Sequence, residues 1–291
     1  MKILVTNDDG IGAKGLDVLV KCLRPFGELL IVAPKTAQSG MSMAVTMGHK
    51  PIAVKHVGTR SIAGGCGTGI SDSSICDAGD WWYLDGTPAS CIKYGIDNIL
   101  WPVKPDLVVS GINHGNNAAT AAIYSGTVGA AMEGAVNGIP SIAVSLDSFA
   151  LDADFSVAEK YLPGLLEKLI PEMSGRFGTF YNINLPCIPV GDVKGVKVTS
   201  MGMAHWEREY RDFLEFLHER GRKPTTSDEA YLAATEAGEE IVVMAGDFTD
   251  NGGNPATADH LLLAQGWITV TPENIDNTDY GEITRLCDII S

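Results

Sequence analysis

The sequence predicts an α/β protein with a mostly parallel sheet and helices on both of its faces. Two observations support this fold class: uninterrupted apolar runs recur through the first half of the chain, and helical patterns separate them. Strands buried on both faces of a parallel sheet are apolar throughout, and each needs a crossover to reach the next strand. With 45% hydrophobic residues, the 291-residue chain can also bury a large core.

Each predicted element has a local signal. The first strand runs into a glycine-rich turn and a helical pattern over 16–23, and the second strand ends at Ala33-Pro34. A helix and a strand return near the C-terminus, over 258–264 and 267–270. The five predicted strands of the first part of the chain are 2–5, 29–32, 107–109, 141–146 and 181–185.

The best-defined helix begins at Ser125 and ends before Gly138 and Pro140, which are typical of a helix C-terminus. Small residues occupy much of it, so that it can pack closely on the sheet and leave its first amides accessible. Its apolar stripe consists of Val128, Ala131, Met132 and Ala135.

The composition excludes several classes of protein. Lys and Arg number 21 against 36 Asp and Glu, which gives a net charge of −15 and a pI near 4.7. Binding to a nucleic-acid duplex depends on Lys and Arg at phosphates, so we expect no such partner. The sequence has no apolar run of about 18–20 residues, and MKILVTNDDG is not a signal peptide, so we expect a cytoplasmic enzyme without a membrane segment.

Two features concern loops and cysteines. Residues 58–80 are rich in Gly and Ser and indicate a mobile surface loop. The six cysteines show no Cys-x-x-Cys or zinc spacing, so we predict free thiols. A pair between Cys66 and Cys76 within the loop is the alternative.

The most informative motif is Asn7-Asp8-Asp9-Gly10, directly after the first strand. Ligands of open α/β sheets bind outside the carboxyl ends of the strands. Adjacent carboxylates raise each other's pKa unless a cation keeps both charged, and hard divalent ions prefer such oxygens. The alternative is an ordinary turn in which Asp8 caps the next helix.

Residues 10–15 also match G-x-G-x-x-G, so a dinucleotide-binding dehydrogenase is a rival hypothesis. Two observations weaken it. The acidic pair beside the turn repels a pyrophosphate, and the second strand ends in Ala33-Pro34-Lys35 without an acid for the ribose.

Polar residues follow other strands as well. Ser39 lies in the loop after the second strand, where it can bind a metal or a phosphate oxygen or simply cap a helix. Asn113 offers a carbonyl oxygen to a cation, Asn117 offers an amide to a phosphate, and His114 is a candidate general acid or a structural histidine. Ser125 opens a helix N-terminus, which binds anions without Lys or Arg. Together these groups describe metal-assisted attack on a phosphate ester.

Five ordered segments carry a resemblance to a known family: TNDDG at 6–10, AP…SG at 33–40, DGTP at 85–88, SGIN at 110–113 and YSGTV at 124–128. The chain resembles the SurE family of stationary-phase survival proteins. The resemblance implies a metal-dependent phosphomonoesterase that hydrolyses nucleoside 5′- and 3′-monophosphates. It also implies one divalent cation per subunit, with Mg²⁺ or Mn²⁺ expected.

The resemblance assigns roles to individual positions. It implies Asp8 and Asp9 as catalytic residues and as metal ligands. The remaining implied metal ligands are Ser39 and Asn113, and the implied phosphate-binding residues are Asn117, Ser125, Gly126 and Thr127. Whether water or an aspartate attacks the phosphorus is left open.

The resemblance further implies a Rossmann-like catalytic domain over 1–199, followed by an extended arm over 200–255 that exchanges between subunits of a homodimer or homotetramer. Residues 256–291 are then expected to pack on the core or on a partner subunit. The charged, aromatic segment 206–222 is consistent with an arm, although a solvated helix has the same pattern.

The chain departs from the family pattern in three places. Only Lys35 is basic between the AP and SG segments, residues 58–80 resemble an insertion, and 220–225 replace the usual arm motif. Two alternative functions therefore stay open: a non-enzymatic nucleotide or metal sensor on the same fold, or a phosphatase for another ester or short polyphosphate.

Overall fold

A nine-stranded sheet forms the centre of the fold. The computed structural model describes residues 1–48, 51–62, 76–150, 152–236 and 238–290. The strands of these residues are β1 (Lys2–Thr6), β2 (Glu28–Pro34), β3 (Val54–Ile62), β4 (Cys76–Leu84), β5 (Leu107–His114), β6 (Ser141–Asp147), β7 (Thr179–Pro186), β8 (Val196–Val198), β9 (Ala204–Glu207), β10 (Tyr210–Asp212), β11 (Val242–Met244), β12 (Asp247–Asp250) and β13 (Ile268–Asn274).

The sheet has the order β3-β4-β2-β1-β5-β6-β7-β13-β8. The six strands from β4 to β7 in this order run parallel, whereas β3 is antiparallel to β4 and β13 is antiparallel to β7. The prediction of a mostly parallel sheet is confirmed.

The α-helices of the described residues are α1 (Lys14–Leu23), α2 (Pro88–Tyr94), α3 (Ala121–Tyr124), α4 (Gly126–Val136), α5 (Ser156–Leu169), α6 (Phe213–Glu219), α7 (Thr226–Ala234), α8 (Asp259–Ala264) and α9 (Tyr280–Ile290). Short 3₁₀ turns and one π-helical turn occupy Arg24–Phe26, Ile170–Glu172, Val190–Asp192 and Gly95–Ile99.

Helices cover both faces of the sheet, as predicted. Successive strand residues point to opposite faces, so Ile3 packs in the cluster that contains Leu16 of α1 and Leu162 of α5. Its neighbour Leu4 packs on the other face with Ile92 of α2. The central strands are therefore apolar on both sides, which explains the uninterrupted runs.

The prediction of a loop over 58–80 is wrong at both ends of that range. Residues 58–62 belong to β3 and residues 76–80 belong to β4. His56 of β3 stacks on Trp82 of β4 with ring centroids 4.4 Å apart, and the Arg60 guanidinium lies 4.4 Å from the centre of the Trp81 ring. Cross-strand pairs of this kind stabilise an edge hairpin without an apolar run. The predicted alternative, a Cys66–Cys76 pair, depends on Cys66, which lies outside the described residues.

Residues 203–254 form a unit of their own, and residues 1–202 with 255–291 form the other. The smaller unit contains two two-stranded ribbons, β10-β11 and β12-β9, together with α6 and α7. Trp206 and Phe248 face each other across the second ribbon, with ring centroids 5.2 Å apart. Its role as an oligomerisation arm stays a prediction.

Two further expectations concern membranes and thiols. Across the part of the chain that the structure describes, no helix has the length and apolarity needed to cross a membrane. Cys22, Cys91 and Cys187 are free thiols, as predicted.

Candidate active site

Asp8 lies in the turn after β1 and is almost completely buried, with 3% of its surface exposed. Its Oδ1 accepts a hydrogen bond of 2.5 Å from the Thr127 hydroxyl in the first turn of α4. Burial raises the pKa of Asp8 to about 6; the hydrogen bond from Thr127 opposes this rise and the charge of Asp9 adds to it. A nearby cation reverses such a shift, because it favours the charged form of the carboxyl group.

Asp9 joins the same turn to the end of β5. Its Oδ2 accepts the His114 main-chain N–H at 3.1 Å and lies 3.2 Å from the His114 Nδ1. Both side chains are about one-fifth exposed, and the His114 ring meets Phe155 edge-on. His114 therefore contacts Asp9 of the acidic pair.

A bulge in β5 places Asn113 at the same edge. Ser110 pairs with Ala143 and Asn113 pairs with Ser145, so β5 carries one extra residue relative to β6. Gly111 lies in this bulge with φ +136°, and a β carbon on it would meet the Val144 carbonyl oxygen at 2.2 Å. The Asn113 Nδ2 donates to the Gly115 carbonyl at 2.8 Å, a bond that does not use the side-chain oxygen, which is the atom that a cation would need.

The loop that carries Ser39 is fixed on both sides of that residue. The Gln38 N–H donates to the Asp8 carbonyl at 2.7 Å, and the Ser42 N–H donates to the Tyr124 carbonyl at 2.9 Å. Ser39 is exposed between these contacts. These two hydrogen bonds hold the loop against the acidic turn and against the residues that precede α4.

The N-terminus of α4 packs directly on Asp8. Ser125 is its N-cap and accepts the Val128 N–H at 3.1 Å. A β carbon on Gly126 would lie 3.1 Å from the Asp8 β carbon and 3.2 Å from the Gln38 carbonyl oxygen, so the glycine gives the helix end a close approach to Asp8. The helix end that favours anions and the buried carboxylate are therefore neighbours.

Asn117 is held differently from the other predicted site residues. It is buried; its Nδ2 donates to the Ser145 hydroxyl at 2.7 Å, and its N–H donates to the Asn184 Oδ1 at 2.7 Å. The Asn182 Nδ2 donates to the Asn117 carbonyl at 2.8 Å. These contacts tie Asn117 to β6 and β7, and one N–H of its amide group is left for a ligand.

The sequence analysis missed a cluster of polar residues that includes the buried Asp259 and the half-buried Glu273. The Asp259 carboxylate accepts the Ala119 N–H, and the Glu273 Oε1 accepts from the Asn182 Nδ2 at 2.9 Å. Strand and helix patterns give no signal for these contacts, since Asp259 is 140 residues from Ala119 in the chain.

Burial raises the pKa of Glu273 to about 7; the Asn182 amide opposes the rise and the charge of Asp259 adds to it. Because this folded-state pKa exceeds the ordinary 4.5, the Glu273 proton favours folding below about pH 4.5, and this contribution is lost as pH rises through 7. Glu273→Gln should keep the hydrogen bond and remove the titration. Between about pH 4 and pH 8, the free energy of unfolding should therefore shift in favour of the variant by roughly 1–3 kcal/mol.

Urea unfolding at several pH values checks this expectation. The exposed Glu172→Gln serves as the control and should follow the wild type at each pH. If the difference in free energy of unfolding between Glu273→Gln and the wild type did not change with pH, the assignment of the titration to Glu273 would be contradicted.

The donor atoms at the acidic turn suit a hard cation. Among the described residues, no group of three or more His, Cys, Asp and Glu side chains has the arrangement of a metal site. The two carboxylates would thus be completed by neutral oxygens such as those of Asn113 and Ser39. Oxygen-only sets of this kind fit Mg²⁺ or Mn²⁺ better than zinc.

The fold and the site define an α/β protein in which two adjacent carboxylates and a helix N-terminus lie together at the carboxyl edge of a parallel sheet. Comparison with known proteins then gives the family: the model for Survival protein SurE matches residues 3–208. The chain belongs to the SurE family.

Relatives match over almost the whole chain. A protein of Alkaliphilus metalliredigens, 5′-nucleotidase SurE, is 41% identical over 288 residues, which are 98% of this chain and 97% of that one. A protein of the same name from Bacteroides thetaiotaomicron is 36% identical and covers 98% of this chain and 94% of its own. The crystal structure of the SurE protein from Aquifex aeolicus matches with a TM-score of 0.73 and 26% identity, over 100% of both chains.

Proposed function

We propose that the chain is a divalent-metal-dependent phosphomonoesterase that hydrolyses nucleoside 5′- and 3′-monophosphates to nucleoside and phosphate. One observation carries the proposal: the buried Asp8 is hydrogen-bonded to Thr127 in the first turn of α4. A carboxylate suited to bind a cation and a helix N-terminus suited to bind an anion therefore lie in one site. The relatives named 5′-nucleotidase SurE support the substrate class.

Asp8, Asp9, Ser39 and Asn113 would hold one Mg²⁺ or Mn²⁺ per subunit. Their fit to a cation rests on the burial of Asp8 beside a second carboxylate, a placement that disfavours two negative charges in the absence of a counter-charge. When bound, a divalent ion supplies Lewis-acid polarisation of the phosphoryl group and lowers the pKa of water. His114 keeps Asp9 in place through its main-chain N–H and its ring.

The phosphate would be bound by the start of α4 and by Asn117. Gly126 would supply its main-chain N–H at the positive end of the helix dipole and Ser125 its hydroxyl, since the Ser125 N–H donates to the Ala122 carbonyl and the Thr127 N–H bonds Asp8. The Thr127 hydroxyl donates a hydrogen bond to Asp8, so Thr127 would also fix the Asp8 carboxylate relative to the phosphate. Donors aimed at the phosphoryl oxygens stabilise the charge that develops in the transition state.

A cytoplasmic homodimer or homotetramer assembled through residues 200–255 belongs to the same proposal. The smaller unit exposes large apolar side chains, with Tyr210 at 65%, Tyr231 at 69% and Met244 at 64%. A soluble monomer rarely leaves several such residues uncovered on a small unit. Sedimentation of the intact chain measures its assembly state.

The experiment is phosphate release from a panel of nucleoside mono-, di- and triphosphates with Mg²⁺, Mn²⁺ or EDTA. We expect release from monophosphates, at least about tenfold faster than from triphosphates, and abolished by EDTA. Binding of metal and nucleotide without release would instead support the sensor hypothesis. Release from another ester alone would contradict the nucleotide assignment.

A further inference from the structure

Asp259, at the first position of α8, is a completely buried carboxylate that the proposed reaction does not use. Main-chain amides surround it: the Gly202 N–H donates to its Oδ1 at 3.0 Å, and the His260 N–H donates to the same atom at 2.8 Å. The Ala119 N–H lies 3.1 Å from Oδ1 and 3.0 Å from Oδ2. One carboxylate thus links three distant segments of the chain.

Ala119 has a backbone conformation that is unfavourable for alanine. Its φ is +50°, in the left-handed region where a β carbon clashes with the neighbouring carbonyl. Such conformations persist only where surrounding contacts impose them. The bond from the Ala119 N–H to Asp259 is a contact of this kind, because it fixes the orientation of the peptide group that precedes Ala119.

This turn is the one that presents Asn117. Asn184 accepts the Asn117 N–H and Asn182 donates to its carbonyl, so side chains from β7 hold the first residue of the turn. Asp259 holds the turn two residues later. The polar side chain of Asn117 is therefore oriented from both ends of a short segment.

We propose that Asp259 is a positioning residue of the phosphate subsite: it maintains the strained turn at Ala119 and thereby orients the Asn117 amide toward the phosphoryl group. The inference rests on the proposed function, because Asn117 is taken as a phosphate ligand. Asp259 acts through Asn117 and does not touch substrate.

Asparagine at position 259 is the informative substitution. Its side chain has one acceptor oxygen, which can still serve the Gly202 and His260 amides, while its NH₂ group faces the Ala119 N–H as a second donor. The Ala119 N–H is shared between Oδ1 at 3.1 Å and Oδ2 at 3.0 Å, so Asp259→Asn removes one of its two acceptor oxygens together with the negative charge. The substitution thus weakens the contact with the turn and can retain those that hold α8.

The readout is the Kd of inorganic phosphate, measured by titration calorimetry with Mn²⁺ present, together with kcat and KM for a nucleoside 5′-monophosphate. We expect Asp259→Asn to raise the phosphate Kd and the KM about tenfold, because the hydrogen bond from the Ala119 N–H loses its charged acceptor, while kcat changes less. The Kd of Mn²⁺ without phosphate should stay the same, since Asp259 contacts none of the proposed metal ligands among the described residues.

A double-mutant cycle with Asn117→Ala separates positioning from a general loss of structure. In the Asn117→Ala background, Asp259→Asn should have almost no further effect on the phosphate Kd. Glu133→Gln is the matched control: it alters another buried carboxylate, bound by Lys93 and Asn137, and should leave the phosphate Kd unchanged.

Ala119→Gly provides a second variant that removes the strain of the positive φ. If Asp259→Asn alone does not fold, the double variant with Ala119→Gly is compared with Ala119→Gly, and a smaller rise in the phosphate Kd, about threefold, is expected. An unchanged Kd, or equal effects with and without Asn117, would overturn the inference. A wild-type protein that binds phosphate but releases none from nucleotides would contradict the proposed function alone.

Discussion

Asp8→Asn is expected to lower metal-dependent phosphate release by roughly 10²–10³-fold, the loss seen when one preorganised electrostatic group is removed from a site. The asparagine can still accept the Thr127 hydroxyl hydrogen bond, so the local structure should persist. What disappears is the negative charge that binds the cation beside Asp9. Turnover at saturating Mn²⁺ is the measurement.

Thermal unfolding gives an independent readout of the same change. Mn²⁺ should raise the Tm of the wild type by stabilising the native state and should have a much smaller effect on Asp8→Asn. Asp106→Asn is the control, because this exposed aspartate accepts the Lys2 N–H at the other end of β1 and should keep normal turnover. Wild-type turnover by Asp8→Asn would contradict the ligand assignment.

Gly111→Ala should strongly destabilise the fold beside the site. The added β carbon would lie 2.2 Å from the Val144 carbonyl oxygen and 3.1 Å from its carbon, both of them backbone atoms of the neighbouring strand. The φ of +136° is an additional strain for alanine. We expect the free energy of unfolding to fall by about 3 kcal/mol or more, and metal affinity to fall with it because Asn113 moves with the bulge.

Gly12→Ala is the matched glycine control for this experiment. Among the described residues, other than its two chain neighbours, no atom would lie within 4 Å of a β carbon on Gly12, and the φ of Gly12 is outside the left-handed region. Chemical denaturation should therefore give a free energy of unfolding within about 0.5 kcal/mol of the wild type. Equal stability of Gly111→Ala and Gly12→Ala would contradict the close approach of Gly111 in the β5 bulge to the Val144 carbonyl.

The parts of the fold that could be predicted are those with a local physical signal. The strands at Leu4 and Val108 are buried on both faces, and this burial imposes the continuous apolar runs that were used to find them. The position of the acidic turn at the carboxyl edge of the sheet could be predicted because parallel strands bring their carboxyl ends to one edge. Asp8, Asp9 and Thr127 lie together there.

The parts that could not be predicted depend on contacts between distant residues. The β3–β4 hairpin is an edge element held by stacking of His56 on Trp82 and of Arg60 on Trp81, and its exposed strand has no apolar run. Asp259 and Asn184 reach the turn at Asn117 only after the chain has folded. Their residue types occur throughout the sequence, so composition and spacing could not single them out.

The most direct test of the account is phosphate release from one nucleoside 5′-monophosphate by metal-stripped wild-type protein, followed as Mn²⁺ is titrated in. We expect no release without metal and a saturable rise that ends near one Mn²⁺ per subunit. Release that does not depend on metal, or none at any Mn²⁺ concentration while the metal binds, would contradict the claim that this carboxyl-edge site is a metal-dependent nucleotidase centre.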